Sequence, residues 1–328
     1  MTEKSENRLL PDQATYYPFA SGRYNEKPNL FPLGRDFSNG KRDDQILQLD
    51  NQFDAYRQQK LYARTHEYAK YVCELTSKND EDAKTINRFL AKVACSEHPE
   101  FFQKQTSENG WILECTLSNE MLQFDRDDVF SGTNGKTAGS TTEYRSGLDA
   151  LACQFQEDIC VIKIEDFSDH LIAAHLCFPN RWAAAQKIGK SFFEIHQPVA
   201  RFADANPNTS NLVQALLSGK PYVRFAWGLS NDSILDHHPD TTDNFYFNGD
   251  GDDLFVRVER QVLVGLPQNN LLFFFIRTYY QDCHQLRRDA GISAGFVKTL
   301  MSINPDLLLY KGLSKSRDRI VDWLQAIR

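Results

Sequence analysis

The sequence predicts an α+β protein built on one mostly antiparallel sheet, with helices gathered between the two halves of that sheet. Three observations point there. QEDICVIKI (from Gln156) and LIAAHLCF (from Leu171) are short β-rich runs on either side of the turn-forming EDFSDH, the pattern of a hairpin. Helix-forming segments then occupy residues 179–219. Three further β-rich runs follow, Tyr222 to Ser230, Phe255 to Val264 and Leu271 to Gln281, the last two joined by the turn LPQNN.

In chain order, the first fifty residues are rich in Pro, Gly, Asn and Asp, and YYPFASGRYNEKPNLFPLG reads as an extended arm whose aromatic side chains require a surface to pack on. Phe53, Tyr56, Leu61, Tyr68 and Val72 recur roughly every three or four residues, which predicts an amphipathic helix between Asp50 and Leu75. A second helix is expected from Asp82 to Ala94, and SGTNGKTAGSTT from Ser131 reads as a loop. Beyond the hairpin, Pro179 suits a first helical turn, RWAAAQKIG reads as a helix ended by Gly189, and NLVQALLSG as one ended by Gly219. VLVGL and LLFFFI lack strict alternation, so both faces of the late strands are expected to be covered, one by the crossing helices and one by the N-terminal helices. The tail from Asn304 predicts a final helix through Trp323. Two strands, a helical crossing and three strands make a PAS-like order, with a core at about residues 151–283 inside a single 1–328 domain wrapped by N-terminal and C-terminal helices.

At 328 residues, with 41% hydrophobic and 25% charged residues, the chain can bury roughly 75% of the surface its unfolded form exposes, enough to enclose a cofactor without disulfides or structural zinc. Its 44 acidic residues against 37 basic ones give a net charge of -7, which supplies no chain-wide attraction for nucleic acid or anionic membranes. The longest apolar run, Leu271 to Ile276, falls far short of the roughly 20 residues of a membrane-spanning helix, and MTEKSENRLLPDQ has no apolar signal core, so a cytoplasmic location is expected. Seven scattered cysteines lack the close pairs of zinc or iron–sulfur sites and read as reduced thiols.

GTNGKT from Gly132 lacks the first glycine of a phosphate loop, because Phe130 stands in its place. DHHPD holds neighbouring His237 and His238, which rarely converge on one metal, and NGDGDD lacks the register and closing Glu of a calcium loop. No dinucleotide-binding GxGxxG sequence occurs. The stretch from Asp158 to Phe202 differs, since it brings Arg181, Trp182 and His196 around one predicted helix, which Gln197 and Pro198 end. On residue type alone, a histidine beside apolar residues is more often a satisfied core residue than a ligand.

AAHLCFPNRWAAAQKIGKSFFEIHQPV, VRFAWGLSND, LFVRVERQVLVGLP, FFFIRTYYQD and LYKGLSKSRDRIVDWL together resemble, in order and spacing, successive blocks of the haem-dependent oxidative N-demethylase family. The resemblance runs from Tyr17 to Trp323. It implies a PAS-like fold turned enzyme: a haem b protein that oxidatively demethylates a small methylated amine such as dimethylamine, releases formaldehyde, and takes O2 together with electrons from a separate flavin and iron–sulfur reductase. The chain departs from the family in RYNEKPNLFPLG, where many members carry a Met-Gly-Leu core, and in the Ser131 segment, which leaves open which amine fits.

By position, the resemblance makes His196 the iron ligand, with the Cys177 thiolate as its rival; beside His175 near a strand end, Cys177 fits a packing role better. Arg181 is implied as the partner of a haem propionate and Trp182 as a porphyrin neighbour, against helix capping and core filling as their ordinary roles. Arg224, Ala226 and Gly228 share one strand face, where two small residues leave room for a flat ligand beside an arginine that can stabilise iron-bound oxygen. Arg257, Glu259 and Gln261 share a face of the next strand, and Arg277 and Tyr279 a face of the last. These read either as a structural charge network or as the amine site, with Glu259 compensating the ammonium and Tyr279 assisting by hydrogen bonding. No flavin, nicotinamide or iron–sulfur signature appears, so a reductase partner is implied. The competing accounts are a haem-based PAS redox or gas sensor, for which the sequence appends no output module, and a haem-free interaction protein.

Overall fold

In the computed structural model the described residues are 10–25, 29–37, 43–77, 80–135, 143–165, 168–197, 209–240, 245–247, 249 and 253–326. The arm contributes the short strand β1 (Phe31–Pro32) and buries Tyr16 and Phe19. Helix α1 (Phe53–Tyr71) buries Phe53, Tyr56, Lys60, Ala63, Arg64 and Tyr71, a stripe at helical spacing like the one the aromatic residues predict. It leaves helical geometry once, at Glu67, and passes directly into β2 (Val72–Glu74). Helix α2 (Glu81–Glu97) turns Ile86, Leu90 and Ala94 inward.

An antiparallel meander follows: β3 (Phe102–Ser107), β4 (Gly110–Cys115), β5 (Glu120–Asp125) and β6 (Phe130–Gly135). Trp111, Leu113 and Cys115 alternate inward against Leu122 and Phe124, and the Trp111 and Phe124 rings stack with centres 3.9 Å apart. This second sheet departs from the expectation of a single one. The loop expected from Ser131 begins instead as the edge strand β6, and residues 136–142 lie outside the described set.

Helix α3 (Gly147–Ala152), capped by Ser146 Oγ accepting from the Asp149 amide, leads to the hairpin of β7 (Asp158–Glu165) and β8 (Ser168–His175). The chain then crosses through α4 (Ala184–Lys187), α5 (Phe192–His196) and α6 (Thr209–Ser218). It returns as β9 (Tyr222–Ser230), β10 (Phe255–Leu266) and β11 (Leu271–Asp282), where the β-rich runs predict strands. RWAAAQKIG supplies only the single turn α4, and Pro179 lies ahead of it, its carbonyl accepting from the His237 amide. The tail forms α7 (Cys283–Arg288), α8 (Ala290–Ser302), α9 (Pro305–Tyr310) and α10 (Arg317–Gln325). The one helix expected from Asn304 is thus two, parted where Gly312 takes a φ of 69° that a side chain resists.

The large sheet has the order β1-β9-β10-β11-β7-β8-β2, with every pairing antiparallel. Because side chains alternate, register fixes its faces. One face carries Arg224, Ala226 and Gly228 of β9, then Arg257, Glu259 and Gln261 of β10, then Ile276, Thr278 and Tyr280 of β11. The crossing helices cover the neighbouring part of it, packing Ala184, Phe192, Val213 and Leu216 with Cys160, Ile162, Leu272 and Ile276. A Cβ on Gly265 would lie 2.0 Å from the Leu217 carbonyl oxygen, so α6 rests on β10 backbone to backbone.

The opposite face meets the arm and α1. There Arg260 pairs with Asp43 at 2.6 Å and Arg277 with Asp50 at 2.7 Å, both buried. Each guanidinium needs its carboxylate, since an unpaired buried charge costs several kcal/mol. The C-terminal helices pack Phe296, Leu300 and Ile320 with Phe19, Trp227 and Val256. Among the described residues no helix is long and apolar enough to cross a membrane.

Candidate functional site

The candidate site is built on the β9 strip. Among the described residues a Cβ on Gly228 would meet nothing within 4 Å, and Ala226 is the next residue on that face. Arg224 completes the strip, and its Nε is buried without a hydrogen-bond partner among the described residues. Burial pulls the Arg224 guanidinium below its ordinary pKa, with Tyr24 and Glu259 acting in the opposite sense. Register sets Glu259 directly beside Ala226, and Gln261 beside Arg224. Glu259, 12% exposed, has its carboxylate fixed by Gln261 Nε2 at 3.0 Å and by the Arg257 guanidinium at 3.5 Å. Arg257 is itself held, donating to the carbonyls of Phe178 at 2.7 Å and Leu235 at 3.1 Å and to Tyr280 Oη at 2.6 Å.

His196 approaches from the crossing helices. A capping box starts α5: Ser191 Oγ accepts from the Glu194 amide at 3.2 Å, and Glu194 accepts from the Ser191 amide at 2.8 Å. At the other end of this single turn, His196 Nδ1 lies 2.8 Å from the Phe192 carbonyl. Donating Nδ1–H there leaves the lone pair on Nε2, the tautomer of a metal-ligating imidazole. Burial lowers the ring's pKa to about 4 against the Phe192 hydrogen bond, and the charges of Arg224 and Lys187 lower it further. The imidazole and Arg224 therefore share one electrostatic environment.

The other predicted site residues divide. Trp182 is half-buried and packs with Ile188 and Ile195 on the apolar cluster beneath the crossing helices. Arg181, Trp182 and His196 do not surround one helix: the first two precede α4, His196 ends α5, and Gly189 at φ 79° separates the two turns. Arg181 has φ 61° and caps no helix; its amide donates to the His237 carbonyl at 2.8 Å, and its guanidinium points toward Gly312.

Tyr279 is excluded from the Glu259 site by strand parity, since Glu259 pairs with Thr278 while Tyr279 pairs with Val258 on the far face. Its ring lies 5.0 Å from Tyr16 and under the Arg277 guanidinium at 4.9 Å. Tyr280, which sequence reasoning passed over, is the tyrosine on the Glu259 side. Tyr24 and Tyr310 were also missed: after burial, Glu259 and Tyr24 are the charges that raise the Tyr310 phenol. The only signal for Tyr24 was its place in the aromatic arm.

Cys177 belongs to a different cluster. Its Sγ is 3.7 Å from His175 Nδ1, Cys153 Sγ is 3.7 Å from His175 Nε2, and Asp149 Oδ1 is 3.5 Å from the same nitrogen, all fully buried. Burial pushes the Cys177 thiol well above its ordinary pKa. The carboxylates here are occupied: Asp149 by Arg64 at 2.8 and 2.7 Å, Asp158 by the amides of Cys177 and Phe178, each at 2.8 Å. This is a satisfied structural network, with Lys60 donating to the carbonyl of Ala152 at 2.8 Å beside it.

A neutral imidazole, an arginine whose Nε has no hydrogen-bond partner among the described residues, an oriented carboxylate and a strip of small side chains are what a flat, metal-centred ligand and a small cation would use. A family model described as haem-dependent oxidative N-demethylase, alpha subunit-like, matches residues 39–321, a span that takes in both sheets apart from the short β1, the crossing helices and every one of these groups except Tyr24. With most of its length aligned to that description, this chain is a member of the haem-dependent oxidative N-demethylase, alpha subunit-like family.

Proposed function

We propose that the protein binds haem b through His196 in a PAS-like core of about residues 151–283 and demethylates a small methylated amine of the dimethylamine kind. When bound, haem supplies the oxidising chemistry that, with O2 and electrons from a flavin and iron–sulfur reductase, converts an N-methyl group to formaldehyde. The chain's residues do the rest. His196 keeps Nε2 unprotonated because Nδ1–H is committed to the Phe192 carbonyl and burial disfavours the imidazolium. Arg224 offers a fixed donor to negative charge developing on oxygen, and a donor already in place needs no reorganisation. Glu259 accepts from the ammonium N–H, and Gln261 and Arg257 hold its carboxylate in one orientation. Trp182 flanks the porphyrin, and Arg181 pairs with a propionate. Cys177 stays a protonated thiol and takes no part in ligation.

The observation that supports this reading is the charge of Arg224, whose Nε has no hydrogen-bond partner among the described residues, acting on the His196 imidazole from a strand face that is open at Gly228. The absorption spectrum tests it: a Soret band retained in Cys177→Ala and lost in His196→Ala is expected, and no Soret band after haem supplementation would overturn it. Reduced protein is expected to consume O2 and release formaldehyde with a secondary methylamine; gas binding without product would identify a sensor. Glu259→Gln is expected to raise KM for the amine at least about tenfold with the Soret band intact, the usual scale for losing a charged hydrogen bond.

A further inference from the structure

Charge is unevenly spread along this acidic chain. Against an overall balance of 44 acidic to 37 basic residues, the stretch from Lys298 to Lys315 holds Lys298, Lys311 and Lys315 with Asp306 as its sole acid, and Arg317 beyond it is paired with Asp318 at 2.8 Å. The fold brings the arm's exposed Arg23 to this stretch. A Cβ on Gly22 would lie 3.3 Å from Lys298 Cβ, and the Tyr24 amide donates to Ser302 Oγ at 2.7 Å. Lys311 Nζ sits 5.1 Å from the Tyr24 ring centre and donates to the Trp227 carbonyl at 2.6 Å. The same segments expose Met301 at 54%, Leu309 at 74% and Tyr310 at 48%.

Lys311 anchors this surface to the backbone of β9, the strand that carries Arg224, Ala226 and Gly228 on its other face. A cationic rim does nothing to attract an ammonium substrate, whereas an anionic protein is drawn to it. Electron-transfer encounters bury little area and depend on such steering, with a few apolar contacts at the centre. Resting on the functional reading above, we propose that Arg23, Lys298 and Lys311, together with Met301, Leu309 and Tyr310, form the docking surface for a small acidic electron-carrier protein.

The probe is an acidic two-iron ferredoxin, titrated in its oxidised form into the purified protein by calorimetry at low and high salt. The variants are Arg23→Glu combined with Lys298→Glu, and Lys104→Glu on the distant β3 as a charge-matched control. Wild type and control are expected to bind alike and more weakly as salt rises, and the double variant at least roughly tenfold more weakly at low salt. The Soret band and its reduction by dithionite should be the same in all three. Equal affinity for wild type and double variant overturns the proposal, as does binding to phosphatidylserine vesicles without binding to ferredoxin. A Soret band absent from all three would overturn the haem reading instead, while calorimetry still reports on the surface.

Discussion

Gly228 is the residue at which folding and the proposed haem binding separate most cleanly. Among the described residues a Cβ there meets nothing within 4 Å, and β-branched or larger residues are at home in strands. Gly228→Leu is therefore expected to leave stability within about 0.5 kcal/mol while blocking haem uptake, read from the Soret band; undiminished uptake would remove the strip from the site. Glu74 is a stability residue of the opposite kind. Burial raises its carboxyl from 4.5 to about 7, the Ser146 hydrogen bond opposing and the Asp149 charge adding. The folded form thus holds a proton that the unfolded form has shed between those values, so the contribution is full below 4.5 and lost as pH rises through about 7. Glu74→Gln should raise Tm at pH 8 and leave it unchanged at pH 5; equal shifts at both would contradict the assignment. Residue reading reached its limit at Tyr279. Alternation within β11 was legible, but which of its faces Glu259 shares depends on pairing register, and register is a property of two strands.

At the scale of elements, the hairpin and β9 to β11 were legible because β-branched and aromatic runs stand between clear turn residues. The meander was not. In β3 only Phe102 is buried, and the alternation in GWILEC and EMLQFD lasts just six residues in each strand, too short to stand out from its polar surroundings. The helix expected around Arg181 and His196 failed for a visible reason, since Gly189 takes a positive φ between α4 and α5. Gly265 sets how closely α6 lies on β10. Gly265→Ala forces its Cβ against the Leu217 carbonyl and is expected to cost about 1–3 kcal/mol in denaturant unfolding, with haem affinity falling as the crossing helices lift. A neutral result would mean that α6 moves freely on the sheet.

Across the whole molecule, the arm is held by charge as much as by its aromatic residues. Arg260 reaches Asp43 through Nε at 2.9 Å and through a terminal nitrogen at 2.6 Å, across 217 positions of sequence. Asp43→Asn leaves that guanidinium buried without its counter-charge, for an expected loss of about 3–5 kcal/mol, seen as a lower Tm and earlier protease cleavage within the arm. An unchanged Tm would show that the arm is held by Tyr16 and Phe19 alone. None of this long-range pairing was legible from the sequence, because Asp43 looks like any other acid in a polar segment.

Strand β10 interleaves the two jobs: Val258, Arg260 and Val262 face the arm, while Arg257, Glu259 and Gln261 face the proposed haem and amine site. Inserting or deleting a single residue upstream in that strand would exchange the two sets wholesale. Among relatives of this protein the length of this segment is therefore expected to be kept, with indels confined to the connections at its ends.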